Sequence, residues 1–167
     1  MSYAIGPAAL PDADDVAALH YLSHTTSFAA FASPAFVASR RLDDYRVQWR
    51  EFLGKQPPRA RAWVARVDGR IVGIVRVTPM AEEGLAQLSS MHVHPDMQGR
   101  GIGRALMTVA EDFIRETGYS RAILGVVQAN DRARMLYERM GWTAVERHPS
   151  GVEGVPYATY GKKFGRR

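Results

Sequence analysis

Apolar and polar positions along this chain alternate between two periods, and the switches mark its elements. Tyr3 to Ala8 reads as a first strand. From Asp12 the apolar residues Val16, Leu19 and Leu22 recur at helical spacing, with Asp12 placed to cap the helix. Ser33-Pro34 opens a second helix, on which Leu42, Tyr45, Trp49 and Phe52 form one stripe. Two prolines make Lys55 to Arg59 a loop. Arg61–Val67 and Ile71–Thr78 are strands joined by Asp68-Gly69, a pair suited to the positive φ of a tight hairpin. Leu85 to His94 is the next strand. A helical pattern follows over Arg104–Gly118, with Leu106, Ala110, Phe113 and Ile114 inward. Ala122–Val127 is continuously apolar, as a central parallel strand should be. Asn130–Met140 is the last helix, and Thr143–His148 with Tyr157–Lys163 form a terminal hairpin across a Pro149–Pro156 loop. The order β-α-α-β-β-β-α-β-α-β-β predicts one mixed α/β (α+β) domain over residues 1–167.

Composition narrows the chemistry. The 167 residues suffice for a single domain with a real core. No cysteine is present, which removes disulfides, thiolate zinc sites and an acyl-cysteine intermediate. No apolar run approaches the ~20 residues of a membrane span, and the N-terminus lacks the basic start and apolar stretch of a signal peptide. A cytoplasmic location and no membrane partner are therefore expected. A net charge of +5 points to anionic partners. The basic residues are dispersed, however, so a phosphorylated cofactor is expected and nucleic acid is not. Arg100, Arg104, Arg132 and Arg134 lie near the two segments described next.

The run Gln98-Gly99-Arg100-Gly101-Ile102-Gly103-Arg104-Ala105 stands between a strand and a helix. Its glycines leave backbone N–H groups uncovered where a helix begins, which suits a pyrophosphate. A P-loop would end in Lys-Ser/Thr, and here Arg104-Ala105 follows. A dinucleotide fingerprint places its third glycine one residue later than Gly103. The pattern Q-x-x-G-x-G, from Gln98 through Gly101 to Gly103, fits without adjustment. A second segment, Asn130 to Trp142, carries Asn130 as an N-cap, Ala133 and Tyr137 on one helix face, and Gly141 as a stop. Together the two resemble the coenzyme A loop and the following helix of the GNAT superfamily of N-acetyltransferases.

That resemblance implies a mixed, mostly antiparallel sheet whose central parallel strand pair splays apart, with helices on both faces. It implies acetyl-CoA as co-substrate and no metal. Met91, His92 and Val93 would contact the pantetheine arm. Gln98, Gly99, Arg100, Gly101, Ile102, Gly103 and Arg104 would hold the pyrophosphate. Asn130, Ala133 and Tyr137 would line the arm's far side, with Tyr137 facing the departing thiolate. The reaction implied is direct attack of a primary amine, on a small molecule or a peptide, with no covalent enzyme intermediate. The alternative is an acyl-CoA-binding protein without turnover. Either a monomer or a homodimer is compatible.

Physical chemistry sets what such a site must do. An ammonium of pKa about 10.4 loses its proton at pH 7 at a cost of about 4.6 kcal/mol, which a base or a dry pocket must offset. His92 has the right intrinsic pKa; Glu82, Glu83 and His94 are the other candidates. A tyrosine giving its proton to a thiolate moves about 2 kcal/mol uphill, so Tyr137 is expected as a hydrogen-bond donor first. Asp43, Asp44, Glu82, Glu83 and Glu153 are candidates for an acidic acceptor mouth, and Tyr160 either lines the acceptor pocket or packs in its strand.

Overall fold

The computed structural model describes residues 1–152 and 154–165. In chain order the elements are β1 (Ala4–Pro7), α1 (Ala13–Thr25), α2 (Pro34–Ser39), α3 (Leu42–Lys55), β2 (Arg61–Val67), β3 (Arg70–Pro79), β4 (Leu85–Val93), α4 (Ile102–Glu116), β5 (Arg121–Val127), α5 (Asp131–Arg139), β6 (Thr143–Val152) and β7 (Val155–Lys163). The seven strands form one sheet in the order β1-β2-β3-β4-β5-β7-β6. Every pairing is antiparallel except β4 with β5.

Alternation along the strands feeds two cores. Ala62, Val64 and Ile74 pack under Val16, Leu19, Trp49 and Leu53 of α1 and α3. Trp63, Val75, Val77 and Leu88 point to the other face, where Leu106, Ala110 and Ile114 of α4 cover them. Asp68 (φ 47°) and Gly69 (φ 79°) both adopt the positive φ that the β2–β3 hairpin turn needs.

Three local features differ from the pattern-based expectation. The second helix is two helices, because Arg40 and Arg41 are extended (ψ 133° and 125°) between α2 and α3. Arg40 turns back to donate to the Phe36 carbonyl and to the Ser39 hydroxyl, which fixes the break. Asp12 ends a short 3-10 turn instead of capping α1 with its side chain; its carboxylate accepts from the Ala9 N–H and pairs with Arg66 at 2.8 Å. The terminal hairpin is longer than predicted: β6 runs through Pro149 to Val152, and Val152 pairs with Val155. Proline is tolerated there because β6 is the edge strand. Glu153, one of the expected acidic-mouth residues, lies outside the described residues.

Candidate active site

The cleft begins where β4 stops following its neighbours. Its parallel pairing with β5 covers only Leu85–Gln87 opposite Arg121–Ile123. On the β3 side the register jumps between Ile74 opposite His92 and Arg76 opposite Ser89, so β4 carries an extra residue. Ser90 absorbs the bulge with φ 53°. Beyond Gln87 the β5-facing edge of β4 is therefore free of ladder partners, and its N–H and C=O groups are offered to whatever enters. The gap opens into a cavity of about 1170 Å³ that runs from the glycine loop to α1.

One end of the cavity is the loop. Gly99 (φ 76°) and Gly101 (φ 82°) take left-handed conformations that side chains resist, and Gly101 is the residue on which α4 starts. Gln98 pins the loop to the strand: its amide donates to the Val93 carbonyl at 3.2 Å, and its oxygen accepts from Arg132 at 2.6 Å. A Cβ on Gly103 would meet Met91 at 3.3 Å and Leu136 at 3.4 Å, so its absence lets α4 close on the cleft wall. Asn130 caps α5 by accepting from the Ala133 N–H at 3.2 Å. Tyr137, only 6% exposed, lines the cavity, and burial pushes its phenol up to about 12. No described residue hydrogen-bonds its hydroxyl, and none of the described buried polar atoms is unsatisfied. The hydroxyl thus keeps its donor for the cleft.

The other end holds three imidazoles. His92 on β4 meets His20 and His24 of α1, with ring centroids 4.8 and 5.2 Å away. Burial, foremost, depresses all three: His20 to about 2, His24 to about 4 and His92 to about 3. They are neutral throughout the physiological range. Trp49 donates its indole N–H to His20 Nδ1 at 3.0 Å, which places the ring proton on Nε2. His24 Nδ1 lies 2.6 Å from the Tyr45 hydroxyl. No described residue hydrogen-bonds the His92 ring, so its lone pair remains available to the cleft.

Three histidines also suggest a metal. Their candidate ligand atoms lie within 4.8 Å of one another. His20 spends its Nδ1 lone pair on Trp49 and carries its proton on Nε2, so it has no lone pair to give. The Arg76 and Arg40 charges beside the cluster oppose a cation further.

Residues 25–142 match the family model described as acetyltransferase (GNAT) family. The chain belongs to the GNAT acetyltransferase family. A mycothiol acetyltransferase of Streptomyces coelicolor is 30% identical over 138 residues, covering 82% of this chain and 42% of that protein. Human N-acetylaspartate synthetase is 34% identical over 87 residues, covering 52% of this chain and 29% of its own length. The chain thus spans less than half the length of either relative. The fold is that of the PaiA N-acetyltransferase of Thermoplasma acidophilum, solved with coenzyme A, at TM-score 0.83 and 18% identity over 98% of this chain and 100% of that one. It is likewise that of YncA from Salmonella typhimurium, solved with acetyl-CoA, at TM-score 0.79 and 16% identity over 100% and 96% of the two chains.

In this GNAT chain the expected contact residues converge on one cavity. Met91, His92, Val93, Gln98, Gly99, Gly101, Ile102, Gly103, Arg104, Asn130, Ala133 and Tyr137 all line it, and Arg100 stands outside the lining. Arg134 turns away, bonding the Gln128 carbonyl and the Tyr160 hydroxyl. Tyr160 packs in its strand, 3% exposed, and donates to Glu138 at 2.7 Å. Of the acidic-mouth candidates, Asp44 lines a second cavity beside His20 and His24. Glu82 pairs with Arg121 in the turn before β4, at the strand's other end, and Asp43 pairs with Arg46 on α3. His94 accepts from the Asp96 N–H and so shapes the loop entry.

His20, His24 and the buried Glu111 lie outside the two motif segments. The first two sit four residues apart on α1, so the His-x-x-x-His spacing was the available signal. Glu111 lies on the buried face of α4, 4% exposed, and receives Trp142 at 2.8 Å, Lys162 at 2.8 Å and Arg115 at 3.1 Å. It anchors the helix that opens at the glycine loop, and no sequence motif marks it.

Proposed function

We propose that this GNAT chain transfers the acetyl group of acetyl-CoA to a primary amine by direct attack, without a covalent enzyme intermediate. The observation that carries the reading is the joining, in one cavity, of a left-handed glycine loop at a helix start, an unpaired strand edge, a free phenol and neutral imidazoles. The loop N–H groups and Arg104 suit the pyrophosphate. The pantetheine amides suit the free β5-facing edge of Met91 to Val93, as an added strand would. A backbone N–H of that edge would also polarise the thioester carbonyl.

Proton handling follows from the depressed imidazoles. A histidine held near 3 is too weak a base to strip a free ammonium. The positively flanked pocket must instead admit the amine in neutral form. His92 then accepts the proton as the N–C bond forms and the nitrogen turns acidic. Tyr137, pushed up to about 12, remains protonated and hydrogen-bonds the departing sulfur. Complete transfer to a thiolate of pKa about 8.5 would run about 5 kcal/mol uphill, so donation without transfer is its role.

Thermal unfolding with acetyl-CoA, coenzyme A and NAD, followed by a thiol-release assay against an amine panel, tests this. A ligand at 100 times its Kd adds about 2.7 kcal/mol of stability. Stabilisation by acetyl-CoA but not NAD, with thiol release that requires an amine, is the expected result. Stabilisation without amine-dependent release would leave an acyl-CoA-binding protein, and no stabilisation would sink both readings.

A further inference from the structure

Past His92 the cleft continues into a pocket walled by rings. His20, Ser23 and His24 of α1 line it, and Ser27, Phe28 and Phe31 of the segment after α1 close it. Phe28 opens a 3-10 turn in which the Phe31 N–H donates to the Phe28 carbonyl at 2.9 Å. Side chains three apart on such a turn lie over one another, so both phenylalanines present to one wall. Phe36 of α2 buttresses that wall, its ring centroid 5.3 Å from that of Phe28. His24 touches both sides of the pocket: its ring centroid is 5.2 Å from that of His92 and 5.3 Å from that of Phe28.

Among the described residues no carboxylate lines this cavity. Asp44 lines the second cavity, which shares His20 and His24 with the first, and Arg40 and Arg41 line it too. Behind the pocket, Arg76 on β3 stacks against Trp49 and Phe52, 5.2 Å from each ring, and its charge bears on His20. No described carboxylate pairs with Arg76. The imidazoles add no charge at pH 7, because burial lowers all three. An ammonium entering the pocket would therefore meet no counter-charge. Aromatic rings do attract cations, by about thirtyfold when desolvated. An alkylamine at pH 7, however, is protonated in roughly 2500-fold excess, so that contact would hold the unreactive form. An amine joined directly to an aromatic ring shares its lone pair with the ring and is uncharged at pH 7. It needs a proton acceptor only once the N–C bond forms, and its ring has the faces and edges that two phenylalanines complement.

We infer that the acceptor is an arylamine, an amine borne directly on an aromatic ring, with the ring seated against Phe28 and Phe31 and the nitrogen beside His92. The inference rests on the amine-acetylation reading above and adds the substrate class. The nitrogen lone pair forms the bond to the acetyl carbon, and the C–S bond breaks with its electron pair staying on sulfur. One proton passes from the nitrogen to the His92 ring, which releases it to solvent, and solvent protonates the thiolate. The products are an aryl acetamide and coenzyme A.

The test compares para-toluidine with its isomer benzylamine, and with putrescine and glycine, as acceptors at pH 7 in the wild type, Phe28→Leu, Phe31→Leu and Phe28→Tyr. The two isomers share one formula and one ring, and only benzylamine is an ammonium at that pH. Alongside, calorimetry follows para-toluidine binding to protein saturated with coenzyme A. Para-toluidine should exceed benzylamine about tenfold or more in kcat/KM, because its gain in neutral fraction outweighs its weaker nucleophilicity. Each leucine substitution keeps an apolar side chain and should raise the KM for para-toluidine about three- to tenfold while changing the KM for acetyl-CoA by less than about twofold. Phe28→Tyr keeps the ring and should stay within about twofold of the wild type. Benzylamine, putrescine or glycine used as well as para-toluidine, or leucine variants that match the wild type, would overturn the inference and leave the transferase standing. No thiol release with any amine, together with para-toluidine binding that Phe28→Leu weakens, would overturn the transferase and uphold the aromatic site. Neither release nor binding would overturn both.

Discussion

Acidification should loosen this fold through the histidines of its cleft, and the size of the effect follows from linkage. His92 and His20 are depressed to about 3 and about 2, chiefly by burial and next by their histidine neighbours. Unfolding returns each to an ordinary value of about 6.5. A group whose folded value lies below its unfolded one favours the fold while pH stays above the unfolded value. That advantage is lost as pH falls from about 6.5 toward the folded value, because the unfolded chain takes up protons that the fold refuses. At pH 7 an unfolded imidazole is about one-quarter protonated, and at pH 5 nearly wholly so. The difference removes about 2 kcal/mol of stability per histidine between those two pH values. Both rings keep an edge on the cleft, where water screens them, so this figure is a ceiling. His92→Gln keeps a polar side chain on β4 and removes one titration, so it should lose about 1–2 kcal/mol less than the wild type over the interval. Urea unfolding at the two pH values, followed by tryptophan fluorescence, measures both losses, and the comparison isolates His92 apart from its coupling to His20. Equal losses in the two proteins would refute the depressed value for His92 and with it the picture of a neutral, half-buried imidazole cluster.

Other substitutions separate chemistry from scaffold. Tyr137→Phe should lower kcat about a hundredfold with the KM for acetyl-CoA little changed, since only a donor to the departing sulfur is lost; an unchanged kcat in stopped-flow thiol release would remove Tyr137 from the reaction. Gly101→Ala forces a side chain into φ 82° at the start of α4, so acetyl-CoA affinity measured by calorimetry should fall while the cost to folding stays near 1–2 kcal/mol. Glu111→Ala leaves Lys162 and Arg115 without their shared buried carboxylate and should cost about 3–5 kcal/mol in urea unfolding; a loss below 1 kcal/mol would mean that water replaces the ion pairs.

How far the sequence could be read depended on whether an element's role was local. The Asp68-Gly69 turn, the glycine loop and the Asn130 cap are set by the φ or the hydrogen bond of single residues, and residue type reports these directly. The apolar stripes of α3 and α4 were equally legible, because Tyr45, Trp49, Leu106 and Ile114 repeat at helical spacing over one core. The break at Arg40-Arg41 was not, since it depends on a side chain folding back onto the preceding turn. Neither was the histidine cluster. His92 is legible in the sequence as a candidate base on a strand; its meeting with His20 and His24, some 70 residues earlier, is tertiary. Charge alone offers Glu82 and Glu83 as bases or acceptor contacts, and the strand direction of β4 puts their turn at its other end from His92.

The bulge at Ser90 joins the two halves of the site. A regular β4 would keep one side-chain phase along its length and a continuous ladder with β3. The extra residue shifts that phase, so His92 meets α1 while Leu88 stays in the α4-side core. The same shift lies beyond Gln87, where β5 has already parted from β4. One left-handed residue therefore sits where the strand both frees its edge toward β5 and turns His92 toward His20 and His24 of α1. On the reading proposed above, carbonyl polarisation by the freed edge and proton acceptance by His92 would sit within a few residues of each other on one rigid element, as direct attack requires.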